Sequence, residues 1–229
     1  MEAVIPEVVF YIFGMPISET VVSTWVMMVL IITGALLLKR FLPSAGEFII
    51  EFINSIIGSV MPKGTTSSKY IAVLGSLAVY LLFANVFSIF PLMVSPTANI
   101  NTTIALSVVV FFAVHIYGVL EKGVWGYVKD FANPIFILPL EIVSQFSRTL
   151  SLSIRLFGNI LSTDLIVAIV FSLVPFILPI PLAALGMLTG VLQAYIFTVL
   201  ASLYIASAVE VQEMEQERRD LKREISQST

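Results

Sequence analysis

Cysteine is missing altogether from the 229 residues. That excludes a disulfide framework, a thiolate nucleophile and any iron–sulfur or Cys-ligated zinc centre. Charge is scarce as well: Asp, Glu, Lys and Arg make up 12%, against about 25% in a typical soluble domain. Hydrophobic residues reach 58% and mean hydropathy is +1.01, a balance that fits neither a soluble enzyme nor a disordered chain. A net charge of −3 gives no basic footprint to suggest nucleic-acid binding, and no nucleic-acid partner is expected. Histidine occurs once, at His115. The chain has no HExxH, no Walker A loop and no Gly-x-Ser-x-Gly elbow. No cofactor and no metal are therefore expected, and the chain is read as no enzyme by itself. Residues Met1 to Pro16 contain no Lys or Arg, so the basic start of a signal peptide is lacking.

What the sequence does have is long apolar runs. A bilayer core of about 30 Å asks for roughly 20 apolar residues in helix. Val21–Leu38, Tyr70–Val94 and Thr103–Leu120 meet that need, and two longer stretches follow, Pro134–Val174 and Pro181–Val209. Pro175, Pro179 and Pro181 punctuate the turn between the last two. The segment Ser44–Met61 differs. Its apolar residues Phe48, Ile49, Phe52, Ile53, Ile56, Ile57 and Val60 recur at helical spacing, with Glu47, Glu51, Asn54, Ser55 and Ser59 on the other side. Such a helix lies along a membrane surface or another subunit.

The expected fold is an all-α membrane protein in one polytopic domain with about five crossing helices and one amphipathic surface helix. Its expected parts are 1–20 outside, 21–41 as first span, 44–61 as amphipathic helix, and 69–94 and 101–120 as spans. Then come 134–174 and 177–213 as a hairpin, and 214–229 as a charged tail. Basic residues give the orientation. Lys39, Arg40, Lys63, Lys69, Lys122, Lys129 and the tail residues Arg218, Arg219, Lys222 and Arg223 all fall on one side of a five-span chain. The N-terminus is expected outside and the C-terminus in the cytoplasm.

Two arginines remain, Arg148 and Arg155, inside the fourth apolar stretch. Arginine at a membrane helix centre costs about 2.5–3.5 kcal/mol on insertion scales, and it does not deprotonate. It must face water, an anion or another polar group. At about 100° per residue, Glu141, Ser144, Arg148, Ser151, Asn159 and Ser162 fall within roughly 40° of Arg155, and Asp164 falls nearly opposite. One narrow stripe thus carries nearly all the polarity of the stretch. Serines taken singly are also explained by bonds to their own backbone and by helix packing; the stripe as a whole points to an aqueous or partner-facing seam.

The 41 residues of Pro134–Val174 would span about 60 Å as one helix, twice the hydrocarbon thickness. The stretch must tilt, break or leave the membrane. The next stretch has the same excess, so a strongly tilted hairpin is expected. Gly186 and Gly190 form a small-xxx-small pair that permits close approach, and Gln193 follows on their face. Its amide either bridges to the first helix of the hairpin or serves as ordinary interhelical glue.

The run Ser147-Arg-Thr-Leu-Ser-Leu-Ser-Ile-Arg-Leu-Phe-Gly-Asn159 and the run Leu192-Gln-Ala-Tyr-Ile-Phe-Thr-Val-Leu200 resemble subunit a of the F-type ATP synthase. Ser23-Thr-Trp25, Asn99-Ile-Asn-Thr-Thr103 and Glu210 extend the resemblance over most of the chain. It implies the stator half of an ion path: two offset aqueous half-channels beside a rotating ring of c subunits, each bearing a carboxylate. On that resemblance Arg155 takes the place of the essential arginine, with Asn159 and Gln193 as polar neighbours. Glu141 and Asp164 match half-channel carboxylates, Arg148 matches an often basic position, and Ser151 lies on the same face. The implied partners are the c ring, subunit b of the peripheral stalk, the other synthase subunits, membrane lipid and the translocated H+ or Na+. The implied location is the bacterial plasma (inner) membrane. One departure stands out: where some members carry a histidine on the last helix, this chain has Gly186. His115 lies elsewhere, as a structural hydrogen-bonder or as a relay.

A fixed guanidinium near a passing carboxylate favours its anion and repels cations that would otherwise run straight between the half-channels. The competing reading is a transporter or channel acting alone, whose mark would be paired halves with matching broken helices. No such repeat is visible.

Overall fold

The computed structural model describes residues 8–12, 15–61, 68–87, 95–131, 138–174 and 178–227, with backbone only at 9, 10, 12, 15, 129–131 and beyond Val209. It opens with a feature not foreseen in the sequence, an antiparallel pair of strands, β1 (Val8–Ile12) and β2 (Met15–Ser18). All else of regular structure is helical. The helices are α1 (Glu19–Phe41), α2 (Pro43–Val60), α3 (Ser68–Phe87), α4 (Ile100–Phe131), α5 (Leu138–Leu173) and α6 (Pro179–Gln227), with a short 3₁₀ turn at Pro96–Ala98. Five of the helices are long and apolar enough to cross a membrane; α2 is not among them.

Local chemistry explains the boundaries. Glu19 stands in the first turn of α1 and Lys39 and Arg40 in its last, each sign matched to the helix dipole. At Leu42 the backbone leaves helical geometry, its N–H donating to the Leu38 carbonyl at 2.9 Å, and Pro43 starts α2 with its φ already set. α2 turns Ile53 and Ile57 into the protein and leaves Phe48, Ile49 and Phe52 exposed, so only one edge of its apolar face is covered by the chain itself. α4 is two helical pieces joined at Gly123, whose φ of 71° is left-handed. A residue with a Cβ there would be strained.

The core lies where α3, α4 and α6 meet, with α2 and α5 against it. Tyr70, Leu74, Leu77, Leu81 and Ala84 form the buried edge of α3, and Ala194, Phe197, Ala201 and Ile205 that of α6. In hydrocarbon this burial gains little from transfer out of water. Close packing and interhelical hydrogen bonds, averaging about 0.6 kcal/mol each, do the holding instead. α5 gives the core only Leu152, Ser153, Leu156 and Ile160. Its 36 residues, about 54 Å of helix, otherwise face outward.

α5 and α6 form the expected hairpin. Asn159 Nδ2 donates to the Thr189 carbonyl at 3.4 Å, and Gly186 lies against Thr163. The register is antiparallel, and continuing it one turn brings Gln193 to the level of Arg155. Of the expected parts, 1–7, 13–14, 88–94, 134–137, 177 and 228–229 lie outside the described residues, together with Lys63 and Pro175.

Candidate functional site

The α5 stripe is a physical face of the molecule. From its head, Gln145 Nε2 donates to Glu141 Oε1 at 2.9 Å. The Arg148 guanidinium carbon lies 5.6 Å from the centre of the Tyr204 ring on α6, a cation–π placement. Ser151, Arg155 and Ser162 are exposed, while Asn159 is half-buried through its bond to Thr189. Among the described residues no hydrogen bond or ion pair reaches the Arg155 guanidinium. Leu150 and Ile154, at other azimuths of α5, are exposed apolar side chains, so the polar stripe is flanked by an oily exterior.

The structure separates the remaining candidates. Asp164 is exposed and lies about half a turn of azimuth away from Arg155. Gln193 is level with Arg155 but is 95% buried on the inward edge of α6. No hydrogen bond joins the two, and Gln193 Nε2 has no partner at all among the described residues. A buried amide donor without an acceptor is costly and calls for a bridging water or a guest group. Neither the expected bridge from Gln193 to α5 nor its alternative as interhelical glue has a bond from this Nε2 to carry it among the described residues. Gly186, in turn, is filled from across the hairpin: a Cβ there would overlap the Thr163 side chain, whose hydroxyl donates to the Asn159 carbonyl at 3.0 Å.

Sequence reasoning missed a polar knot in the interior. Asn85 is almost fully buried. Its Nδ2 donates to the Gly190 carbonyl at 2.7 Å, and its Oδ1 accepts from Thr97 Oγ1 at 3.1 Å. The Ser95 hydroxyl donates to the Ala84 carbonyl at 3.0 Å and pairs with Thr97 at 2.8 Å. Nearby, the hydroxyls of Thr103 and Ser153 join α4 to α5 at 3.2 Å. A Cβ on Gly190 would come within 2.9 Å of Asn85 Cβ, so this glycine lets α3 and α6 touch. One signal for the knot was visible: Asn85 is the only amide side chain in Tyr70–Val94. Among the described residues no three His, Asp or Glu side chains converge.

Comparison with known proteins places these features in a wider set. The family model described as "ATP synthase A chain" matches residues 17–206. The chain is 38% identical to "ATP synthase subunit a 2" of Picosynechococcus sp., covering 91% of this chain and 94% of that one. It is 39% identical to "ATP synthase subunit a 2" of Bradyrhizobium sp., over 87% and 92% of the two chains. It is 34% identical to "ATP synthase subunit a" of Moorella thermoacetica, over 91% and 99%.

Proposed function

Because this chain belongs to the ATP synthase A chain family, we propose that it is the ion-translocating stator subunit of an F-type ATP synthase. It would couple the flow of H+ or Na+ to rotation of a c ring and so to ATP synthesis, without catalysing that synthesis itself. The observation that carries this reading is Arg155: a permanent cation on the outer face of α5, in the middle of its polar stripe, with no anionic partner among the described residues. A charge so placed must meet an anion supplied from outside. A ring of carboxylates passing one by one supplies it.

The other residues take roles by height along α5. Glu141 lies fourteen residues before Arg155, about 21 Å, and Asp164 nine residues after, about 13 Å. The charged loops set the head of α5 on the cytoplasmic side, so Glu141 belongs to an inner half-channel and Asp164 to an outer one. Arg148 and Ser151 line the face between Glu141 and Arg155. Asn159 fixes the hairpin beside the arginine, and the unpartnered Gln193 amide offers a donor at the arginine's level. Each elementary charge moved across the membrane gains about 2.3 kcal/mol per 100 mV. That energy turns the ring only if ions cannot pass Arg155 directly.

Subunit b, the other synthase subunits and membrane lipid complete the surroundings of this multi-pass protein in a bacterial plasma membrane, N-terminus out and C-terminus in. The test is ATP synthesis by the assembled complex in liposomes, driven by a proton gradient or by a sodium gradient. Synthesis is expected with one ion and is lost in Arg155→Ala. Undiminished synthesis in that variant refutes the reading. Ion flux through the isolated chain, with no ring, would favour the lone transporter.

A further inference from the structure

α5 carries two arginines on one face, and the structure treats them oppositely. Arg148 and Arg155 are seven residues apart, about 10.5 Å along the helix and within about 20° of each other in azimuth. Arg155 is exposed and meets no partner among the described residues. Arg148 is half-buried, and its guanidinium carbon stands 5.6 Å from the centre of the Tyr204 ring. Among the described residues it makes no hydrogen bond and no ion pair, so the ring is what holds it. Glu141 is the carboxylate nearest to it in sequence, yet that group accepts from Gln145 instead. Helix geometry explains the meeting. Side chains lean toward the N-terminus of their own helix. Because α5 and α6 run antiparallel, Arg148 and Tyr204 lean toward each other along the hairpin. Tyr204 in turn packs against the core, which fixes its ring.

We infer that Tyr204 is a positioning residue that holds Arg148 against α6, so that Arg155 is the single guanidinium this face presents to a passing carboxylate. The inference rests on the proposed ion path for its purpose. A guanidinium does not deprotonate, so Arg148 is not silenced by losing its charge, only by being turned aside. An aromatic face does this without adding an anion. A carboxylate in the same place would itself attract the translocated cation. Released from the ring, Arg148 would extend the cationic part of the stripe two turns toward Glu141. A ring carboxylate on the inner side would then meet a second cation, be favoured as its anion and take up its ion less readily.

The test is ATP-driven ion uptake by the assembled synthase complex in inverted vesicles. The quantity read is the concentration of the coupling ion at the cytoplasmic face that gives half-maximal uptake. Tyr204→Leu keeps an apolar side chain and removes the aromatic face, and is expected to raise that concentration about threefold. Tyr204→Phe keeps the face and is expected to stay within about 1.5-fold. In an Arg148→Gln background no charge is left to release, so adding Tyr204→Leu is expected to shift the value by less than about 1.5-fold. Unchanged half-saturation in Tyr204→Leu overturns the inference. So do equal shifts in the Leu and Phe variants, or a shift that persists in the Arg148→Gln background. If uptake in Tyr204→Leu is too weak to titrate, its return on adding Arg148→Gln supports the inference and its failure to return overturns it. Tyr204→Met repeats the measurement where Tyr204→Leu does not assemble; loss of assembly in both assigns the ring to packing alone and overturns the inference. Uptake abolished by Arg148→Gln alone marks a cation that works rather than one set aside, and also overturns it. Arg155→Ala separates the two claims, since it is expected to abolish uptake. Uptake retained there refutes the ion path and the inference with it. A null result at Tyr204 beside an inactive Arg155→Ala overturns the inference alone.

Discussion

Two polar regions lie within about one helical turn of each other in height and are built on opposite plans. In the knot around Asn85, amide, hydroxyls and the Gly190 carbonyl are matched to one another inside the chain. On the outer face of α5, Arg155 carries a full charge that nothing in the described chain answers. A buried polar group without a partner is expensive, so the first region is complete as it stands. The second makes sense only with something outside. The contrast separates groups that hold the fold from groups that await a visitor. Gln193 falls between the plans: it is interior like Asn85, yet its amide is unanswered like Arg155.

The sharpest way to break the contrast is Arg155→Ala. It is expected to abolish coupled ATP synthesis while leaving the assembled complex intact, read by synthesis in liposomes beside the amount of complex on a native gel. Lysine is at best a partial replacement, because a buried ammonium shifts its protonation readily and lacks the planar fork. Next is Asn85→Ala, which strips the knot of its centre. Leaving the Thr97 hydroxyl without its buried acceptor is expected to cost about 1–3 kcal/mol, seen as a lower melting temperature in detergent. If stability holds and only ion transport falls, Asn85 belongs with the visitor's path instead. Gly186→Ala forces a methyl against Thr163 and is expected to loosen the hairpin by roughly 1–2 kcal/mol, near the low end for overpacking. Cross-linking between cysteines at 159 and 189 would register the change. Last, Lys69→Ala removes an exposed ion pair to Glu121, 3.0 Å long, and is expected to change stability by no more than about 1 kcal/mol.

Much of this contrast was written in the order of residues, and some of it was not. The face of Arg155, Ser151 and Ser162 is set by spacing along one helix, so the helical period alone shows which side chains share it. The amphipathic character of α2 and the excess length of α5 and α6 are local in the same way. Asn85 and Gly190 are 105 positions apart, and no period links them. The left-handed turn at Gly123 hides for a different reason. Lys-Gly-Val-Trp-Gly follows the expected span 101–120 and reads as part of the loop after it, so neither the helix that continues to Phe131 nor its change of course at Gly123 was expected. The β1–β2 pair at the start was passed over because its short apolar run carries no charge to set a face.

One further property follows from α6 running unbroken from Pro179 to Gln227. Gly190, clasped by Asn85, is a point where this rod is gripped from across the bundle, and its far end stands 37 residues on, about 55 Å away. The rod is a pointer on a dial. A swing of about one degree at the grip sweeps its tip by about 1 Å. A fluorophore or spin label near residue 227 would magnify movements of the hairpin that are too small to see beside the arginine itself.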